Sequence, residues 1–290
     1  MSEWALAAVF AIFIWWFSTG LVLLLDRLLH GALRWGRWLS SLLALTAFVA
    51  LAHTATASTV ANAYCAFTCA LLVWGWHELS FLSGWVTGPR KSALPPGLKG
   101  WPRFVESVRA ILWHELAIIA VGLAVMAVTW GQPNQVGTQT FLVLWVMRTS
   151  AKLNLFLGVR NLSEEFLPPH LAYLQSFFRR RAMNALLPFS VLGASAVLAG
   201  WVMAAADPST PAATVVGTTL VSTMLAMAIV EHLLLVLPLP STALWRWALR
   251  GDAQGAAPVP AVTAMTAVAT VKAATANLNL DSHEDLFRTP

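Results

Sequence analysis

One apolar run, residues 61–83, reads ANAYCAFTCALLVWGWHELSFLS and is long enough to cross a membrane as a helix. A hydrocarbon core of about 30 Å needs about 20 such residues at the helical rise. The run carries His77 and Glu78 toward its end. An ionisable side chain in the middle of a membrane costs about 2.5 to 3.5 kcal/mol on insertion scales. These two residues are therefore the first candidates for a special role.

The rest of the chain has the same apolar character. Of its 290 residues, 58% are hydrophobic and only 11% are charged, whereas soluble domains carry about 25% charged residues. The composition predicts an all-α, polytopic membrane helical bundle of about seven transmembrane helices within residues 1–250. Its six other spans are expected at residues 4–25, 39–58, 111–130, 138–158, 184–205 and 213–237.

The basic residues predict the orientation of the bundle. The connections near residues 54–61, 131–137 and 204–212 contain no Lys or Arg. Because short loops rich in Lys and Arg stay in the cytoplasm, the N-terminus is expected in the periplasm and the C-terminus in the cytoplasm. The net charge of +5 does not indicate a nucleic-acid partner, since the basic residues fall between apolar runs. Those in the expected loops and directly after the last span are Arg27, Arg34, Arg37, Arg90, Lys91, Lys99, Arg103, Arg109, Arg160, Arg179 to Arg181, Arg246 and Arg250.

Two segments outside the spans have their own predicted forms. Residues 163–183 contain Pro168 and Pro169, which can open a helix, so a short interfacial helix is expected to begin near His170. Residues 251–290 are rich in Ala, Thr and Val and poor in aromatic residues. We expect them to form a disordered cytoplasmic tail.

Ionisable residues recur inside the spans and are expected to meet in one layer near the cytoplasmic side. Imidazole and carboxylate groups from separate helices suit iron or zinc, so a metal site is one interpretation, although the Glu-x-x-His spacing of di-iron bundles is absent. Arg148 and Lys152 of the fifth span would then form supporting ion pairs. The candidate metal ligands are His77, Glu78, His114, Glu115, Glu164, Glu165, His170, Glu231 and His232.

Other interpretations of the same residues stay open. The His and Glu side chains can pair with Arg148 and Lys152 alone, which would fix the register of the helices. A tetrapyrrole or another pigment could be held by His77 or His232, and passage of protons or solutes is a further possibility. The cofactor is thus left undecided between iron or zinc, a tetrapyrrole, and none.

Five segments of the chain carry a resemblance to a known family: Trp76-His77-Glu78, GWVTGPR at residues 84–90, GVRNLSEEFLP at residues 158–168, Glu231-His232, and LPLP at residues 237–240. In these segments the chain resembles the PuhE family of photosynthetic complex assembly proteins of purple photosynthetic bacteria. The resemblance implies a multi-pass protein of the bacterial cytoplasmic (inner) membrane. It further implies a part in forming reaction-centre and light-harvesting complexes, with a link to bacteriochlorophyll supply.

Two hypotheses of function follow from the sequence. The first is an assembly factor that contacts the lipid bilayer and reaction-centre or light-harvesting subunits, in line with the resemblance and with the absence of a complete catalytic motif. The alternative is a membrane-embedded iron or di-iron oxidoreductase acting on an apolar tetrapyrrole or carotenoid intermediate. The sequence favours the first, so an enzymatic activity is not the leading expectation.

Overall fold

The computed structural model describes residues 3–32, 34–237, Trp245 and Ala248. Within these residues seven α-helices are long and apolar enough to cross a membrane, and no β-strand is present. The predicted all-α bundle of seven transmembrane helices is therefore confirmed, while the orientation of its termini stays a prediction. The helices are α1 Glu3–Ala32, α2 Arg34–Thr54, α3 Val60–Leu82, α4 Gly100–Thr129, α5 Val136–Leu157, α6 Leu186–Ala205 and α7 Ala212–Leu234.

Helix α4 begins eleven residues earlier than the span expected at residues 111–130. Its first turns carry Arg103, Glu106 and Arg109. These charged residues lower the local hydropathy, so the span predicted from hydropathy begins later than the helix does. Glu106 accepts hydrogen bonds from Arg109 on the same helix and from Arg90 on the preceding connection. The ion pairs thus let the helix continue past the apolar run.

Helices α3 and α7 form the centre of the bundle. Phe67 of α3 and Leu220 of α7 are fully buried and belong to one apolar cluster, which Ala7 and Ala11 of α1 join from the side. Helices α1, α2 and α6 expose large apolar side chains, as expected for surfaces that face lipid. Burial therefore follows position in the bundle rather than hydrophobicity, because the outer helices are as apolar as the inner ones.

The two ends of the bundle differ in how the helices are connected. We call the end with the short connections 55–59, 130–135 and 206–211 the turn end. The opposite end, with the connections 83–99 and 158–185, is called the loop end. His77, Glu78 and the other ionisable residues of the spans lie toward the loop end, which is the end predicted to face the cytoplasm.

Residues 163–183, predicted to hold a short interfacial helix, contain 3₁₀ helix rather than α-helix, and their place at the membrane surface stays a prediction. A short 3₁₀ turn at Glu164–Phe166 precedes a longer 3₁₀ segment at Pro169–Phe177. Leu171 and Leu174 are buried and pack against Phe81 of α3. The segment is therefore anchored to the bundle by its own apolar side chains. The tail at residues 251–290 lies outside the described residues.

Candidate functional site

Two partly exposed ion pairs join neighbouring helices of the bundle near the loop end. The Arg148 Nη2 atom lies 3.1 Å from Glu78 Oε2, and the Lys152 Nζ atom lies 2.5 Å from Glu115 Oε1. Arg148 and Lys152 are four residues apart on α5 and so share one side of that helix. Each cation of α5 thus binds a carboxylate from a different neighbouring helix, Glu78 from α3 and Glu115 from α4.

Helix α7 contributes a third carboxylate to the same layer. Glu231 accepts a hydrogen bond from the Trp15 side chain of α1 and is attracted to Arg148. With all five groups ionised, the three carboxylates and two cations carry one net negative charge. Charged side chains from α3, α4, α5 and α7 therefore converge, and together they carry one more negative than positive charge.

The histidines beside two of these carboxylates have a different environment. His77 and His114 are 0% and 1% exposed, and their ring centroids lie 6.5 Å apart. Adjacent residues on a helix point about 100° apart, so His77 faces away from the pair that Glu78 makes. Neither ring nitrogen of His77 has a hydrogen-bond partner, and the same is true of His114 Nδ1.

His232 lies apart from this histidine pair and is fully bonded. Its Nδ1 atom lies 2.9 Å from the Ala228 carbonyl, and its Nε2 atom lies 3.0 Å from the Ser150 hydroxyl. Ser150 in turn donates to Ser190 of α6 at 2.8 Å. His232 therefore joins α7, α5 and α6 through hydrogen bonds and has no free nitrogen for a ligand.

The connection after α3 positions His114, a role that sequence reasoning missed. The His114 backbone amide donates to the Thr87 carbonyl at 2.9 Å, and the Arg90 amide donates to the Arg109 carbonyl at 3.3 Å. Between them, Gly88 approaches α4 so closely that an added Cβ would lie 2.1 Å from the Arg109 carbonyl oxygen. The Gly-Pro-Arg sequence at residues 88–90 was the available signal, but such a sequence is by itself typical only of a turn.

Glu164 and His170, two further predicted ligands, lie outside the layer of ion pairs. Glu164 makes an exposed contact with Arg180 at 3.5 Å, and the His170 ring packs against Gly84 of the α3–α4 connection. The side chain of Glu165 lies outside the described part of the chain. Nearby, burial raises the pKa of the Tyr173 phenol, so this group is neutral at physiological pH.

Arg103, expected among the loop cations, is instead buried and bridges three elements. Its guanidinium donates to the carbonyls of Phe156 and Phe177, at 3.1 and 2.5 Å, and stacks on the Phe156 ring at 3.9 Å. Nearby, the Asn161 side chain donates to the Leu234 carbonyl at 2.7 Å and so caps α7. The loop end is therefore fastened by side chains from sequence-distant segments.

The geometry does not favour the oxidoreductase alternative. In the part of the chain that the structure describes, no group of three or more His, Cys, Asp or Glu side chains could hold a metal ion. The carboxylates that would complete an iron or zinc site are bound to Arg148 and Lys152. The nine-residue metal site stays a prediction, whereas the ion pairs are what the structure shows.

Comparison with known proteins gives two matches. The model of the family described as "Protein of unknown function (DUF3623)" matches residues 1–256. The chain is 40% identical over 248 residues to a Rhodobacter capsulatus protein named "Uncharacterized 30.4 kDa protein in puhA 5'region". That alignment covers 84% of this chain and 90% of the relative. No solved structure matches the chain.

Proposed function

The chain belongs to the DUF3623 family, and from this premise we propose that it is an assembly factor for photosynthetic complexes. In this proposal it is a multi-pass protein of the bacterial cytoplasmic membrane. It holds an unfinished reaction-centre or light-harvesting subunit, or the bacteriochlorophyll destined for it, until the complex closes. Its partners are then the lipid bilayer and those subunits.

The observation that carries the proposal is the similarity to the Rhodobacter capsulatus protein, which is named for its place in the 5′ region of puhA. Neighbouring bacterial genes commonly serve one process, so this place supports a photosynthesis-related role. The segments that resemble the PuhE family, GWVTGPR at residues 84–90 among them, support the narrower role in assembly.

The site geometry is consistent with holding a client rather than converting a substrate. The carboxylates of Glu78 and Glu115 are neutralised by Arg148 and Lys152, which gives the layer a structural use in fixing helix register. Outside it, α2 and α6 present apolar side chains such as Leu42 and Phe189. Transmembrane helices associate through packing on surfaces of this kind.

A deletion experiment tests the role directly. The gene would be removed from its native host, and near-infrared absorbance of isolated membranes would report reaction-centre and light-harvesting complexes. We expect both sets of bands to fall several-fold and to recover when the wild-type gene is returned. Unchanged spectra in the deletion strain, at equal growth stage and oxygen level, would contradict the proposal.

A capture experiment identifies the client. The tagged full chain would be purified in mild detergent from photosynthetically growing cells, beside an unrelated tagged seven-helix protein as control. Enrichment of reaction-centre or light-harvesting subunits supports a direct role in assembly, and enrichment of pigment-synthesis enzymes supports a role in bacteriochlorophyll supply. Recovery of neither class above the control would count against both.

A further inference from the structure

The pair formed by His77 and His114 has buried ring nitrogens that no protein group hydrogen-bonds. Both side chains are almost completely buried, and three of their ring nitrogens have no hydrogen-bond partner. Leaving a buried polar group unsatisfied costs about 1 to 3 kcal/mol. Native structures rarely keep several such groups side by side without an occupant.

The spacing of the two rings limits what the occupant can be. A metal–imidazole nitrogen bond is about 2.0 Å long, and a ring nitrogen lies little more than an ångström from its ring centre. One ion held in line between two imidazoles would therefore set the ring centroids about 6 Å apart. The observed separation is 6.5 Å, and a tetrahedral angle at the ion would bring the rings closer. The distance fits a near-linear, two-ligand site.

The net charge of the layer favours a monovalent over a divalent cation. The three carboxylates and two cations of the layer sum to one negative charge when ionised. Within it, Glu78 favours a positive charge at His77, whereas Lys152 opposes one at both histidines. A single positive charge between the rings neutralises the layer. A divalent ion would leave it positive and would require Glu78 or Glu115 to abandon its partner, which is costly for a pair inside a bundle.

The walls of the site favour a soft ion. Phe81 lies 4.5 Å from the His114 ring, and Trp76 and Phe141 lie 5.1 and 6.2 Å from the His77 ring, all between centroids. Aromatic faces and imidazole nitrogens suit a weakly hydrated cation, and imidazole is a good copper ligand. These neighbours offer no oxygen ligands of the kind that magnesium or calcium requires.

We propose that His77 and His114 bind one Cu⁺ ion in a near-linear site between α3 and α4. Nothing in this site depends on photosynthetic assembly, so it stands or falls separately from the proposed function. The ion would link the two helices at a point where no direct hydrogen bond joins the two imidazole rings. It would also satisfy ring nitrogens that otherwise lie unbonded in the bundle.

The test is an anaerobic titration of the purified full chain in detergent with Cu⁺, in competition with a coloured Cu⁺ chelator. We expect one tightly held ion per chain, and X-ray absorption showing two nitrogen neighbours at about 2 Å. His77→Leu and His114→Leu should each lose the ion. His114→Met should keep it, because a thioether is a good Cu⁺ ligand. His53→Ala, which alters an exposed histidine outside the site, should bind as the wild type does.

Other outcomes overturn the proposal. Folded wild-type protein that leaves Cu⁺ with the chelator, or retention of the ion by both leucine variants, would refute the site. Four light neighbours, or equal preference for Zn²⁺, would show a different ion in a different ligand set. If a leucine variant does not fold, the comparison of His114→Met with His114→Gln tests the site instead. Both variants keep a long side chain, but only the methionine thioether should retain the ion.

Discussion

The two ends of the bundle are held together by different chemistry. At the turn end, Asn134 bonds the Thr54 carbonyl with its side chain and the Ala55 carbonyl with its amide, while Thr129 and Thr138 share a hydrogen bond of 2.6 Å. These neutral contacts join segments already close through short connections. The loop end instead depends on ion pairs, a buried arginine and two docked connections. We therefore expect the loop end to tolerate substitution less well.

The largest effect is expected at Gly88. An added methyl group would meet the backbone of Arg109 and Ala110, and backbone cannot move aside cheaply. Gly88→Ala should lower the free energy of unfolding by about 3 kcal/mol or more, seen as a large fall in unfolding temperature in detergent. Gly200→Ala is the matched control, since open space surrounds it on α6, and it should gain about 0.5 to 1 kcal/mol. Equal behaviour of the two variants would show that the connection is not docked.

The next effect concerns the ion pair inside the loop end. Glu115→Gln leaves the Lys152 cation without its carboxylate and should cost about 1 to 3 kcal/mol, less than a fully buried pair because both side chains are partly exposed. The same change at Glu164, whose pair with Arg180 is largely exposed, should cost well under about 1 kcal/mol. Thermal unfolding of both variants measures the difference. Equal losses of stability in the two variants would show that the Glu115–Lys152 pair contributes no more than the exposed Glu164–Arg180 pair.

Two asparagines compare the ends directly. Asn184 accepts hydrogen bonds from the Leu186 and Leu187 amides and donates to the Gly158 carbonyl, so it fastens the start of α6 at the loop end. Asn134 does the equivalent for α5 at the turn end. Each change to Ala should cost about 1 to 2 kcal/mol. Hydrogen exchange should localise the loss to the end concerned, and a loss spread over both ends would make the ends one cooperative unit.

The smallest effect is a pH dependence at the turn end. Hydrogen bonds from the Ser209 side chain and amide hold the pKa of Asp207 below its ordinary value of 3.8. A depressed folded-state pKa adds stability above the unfolded value, and this stability is lost as the pH falls through the folded value. Asp207→Asn should therefore lose slightly less stability than the wild type when the pH drops from 6 to 3. A larger loss of stability in the variant than in the wild type would contradict a lowered pKa of Asp207 in the folded protein.

The sequence predicted the helices well because length and apolar composition alone decide a membrane span. Residues 138–158 and 61–83 differ from α5 and α3 by only one or two residues at each end. The start of α4 was missed because its charged first turns do not look like a membrane span. Arg103 was expected in a loop, and only the three-dimensional structure shows that carbonyls of Phe156 and Phe177 surround it.

The sequence predicted part of the layer of ionisable residues near the loop end, but not how its members pair. The sequence placed His77, Glu78, His114 and Glu115 at similar depth, and the structure brings them together. The sequence could not show that the two side chains of each of these His-Glu pairs have different neighbours. The glutamate binds a cation of α5, and the histidine packs among aromatic side chains. Nor could the sequence show that His232 is fully bonded. Helix rotation, which spacing alone leaves free, decides these pairings.

The contacts of the loop end also imply an order of synthesis. The Thr87–His114 bond can form as soon as α4 has left the ribosome, whereas Lys152 reaches Glu115 across 37 residues and Arg148 reaches Glu78 across 70. Two bonds of the described residues reach farther: the Trp245 indole donates to the Trp16 carbonyl across 229 residues, and Arg27 donates to the Ala248 carbonyl across 221. Helix α1 therefore lacks these contacts until residues 245–248 have been synthesised. The bonds join segments that are made early and late in translation.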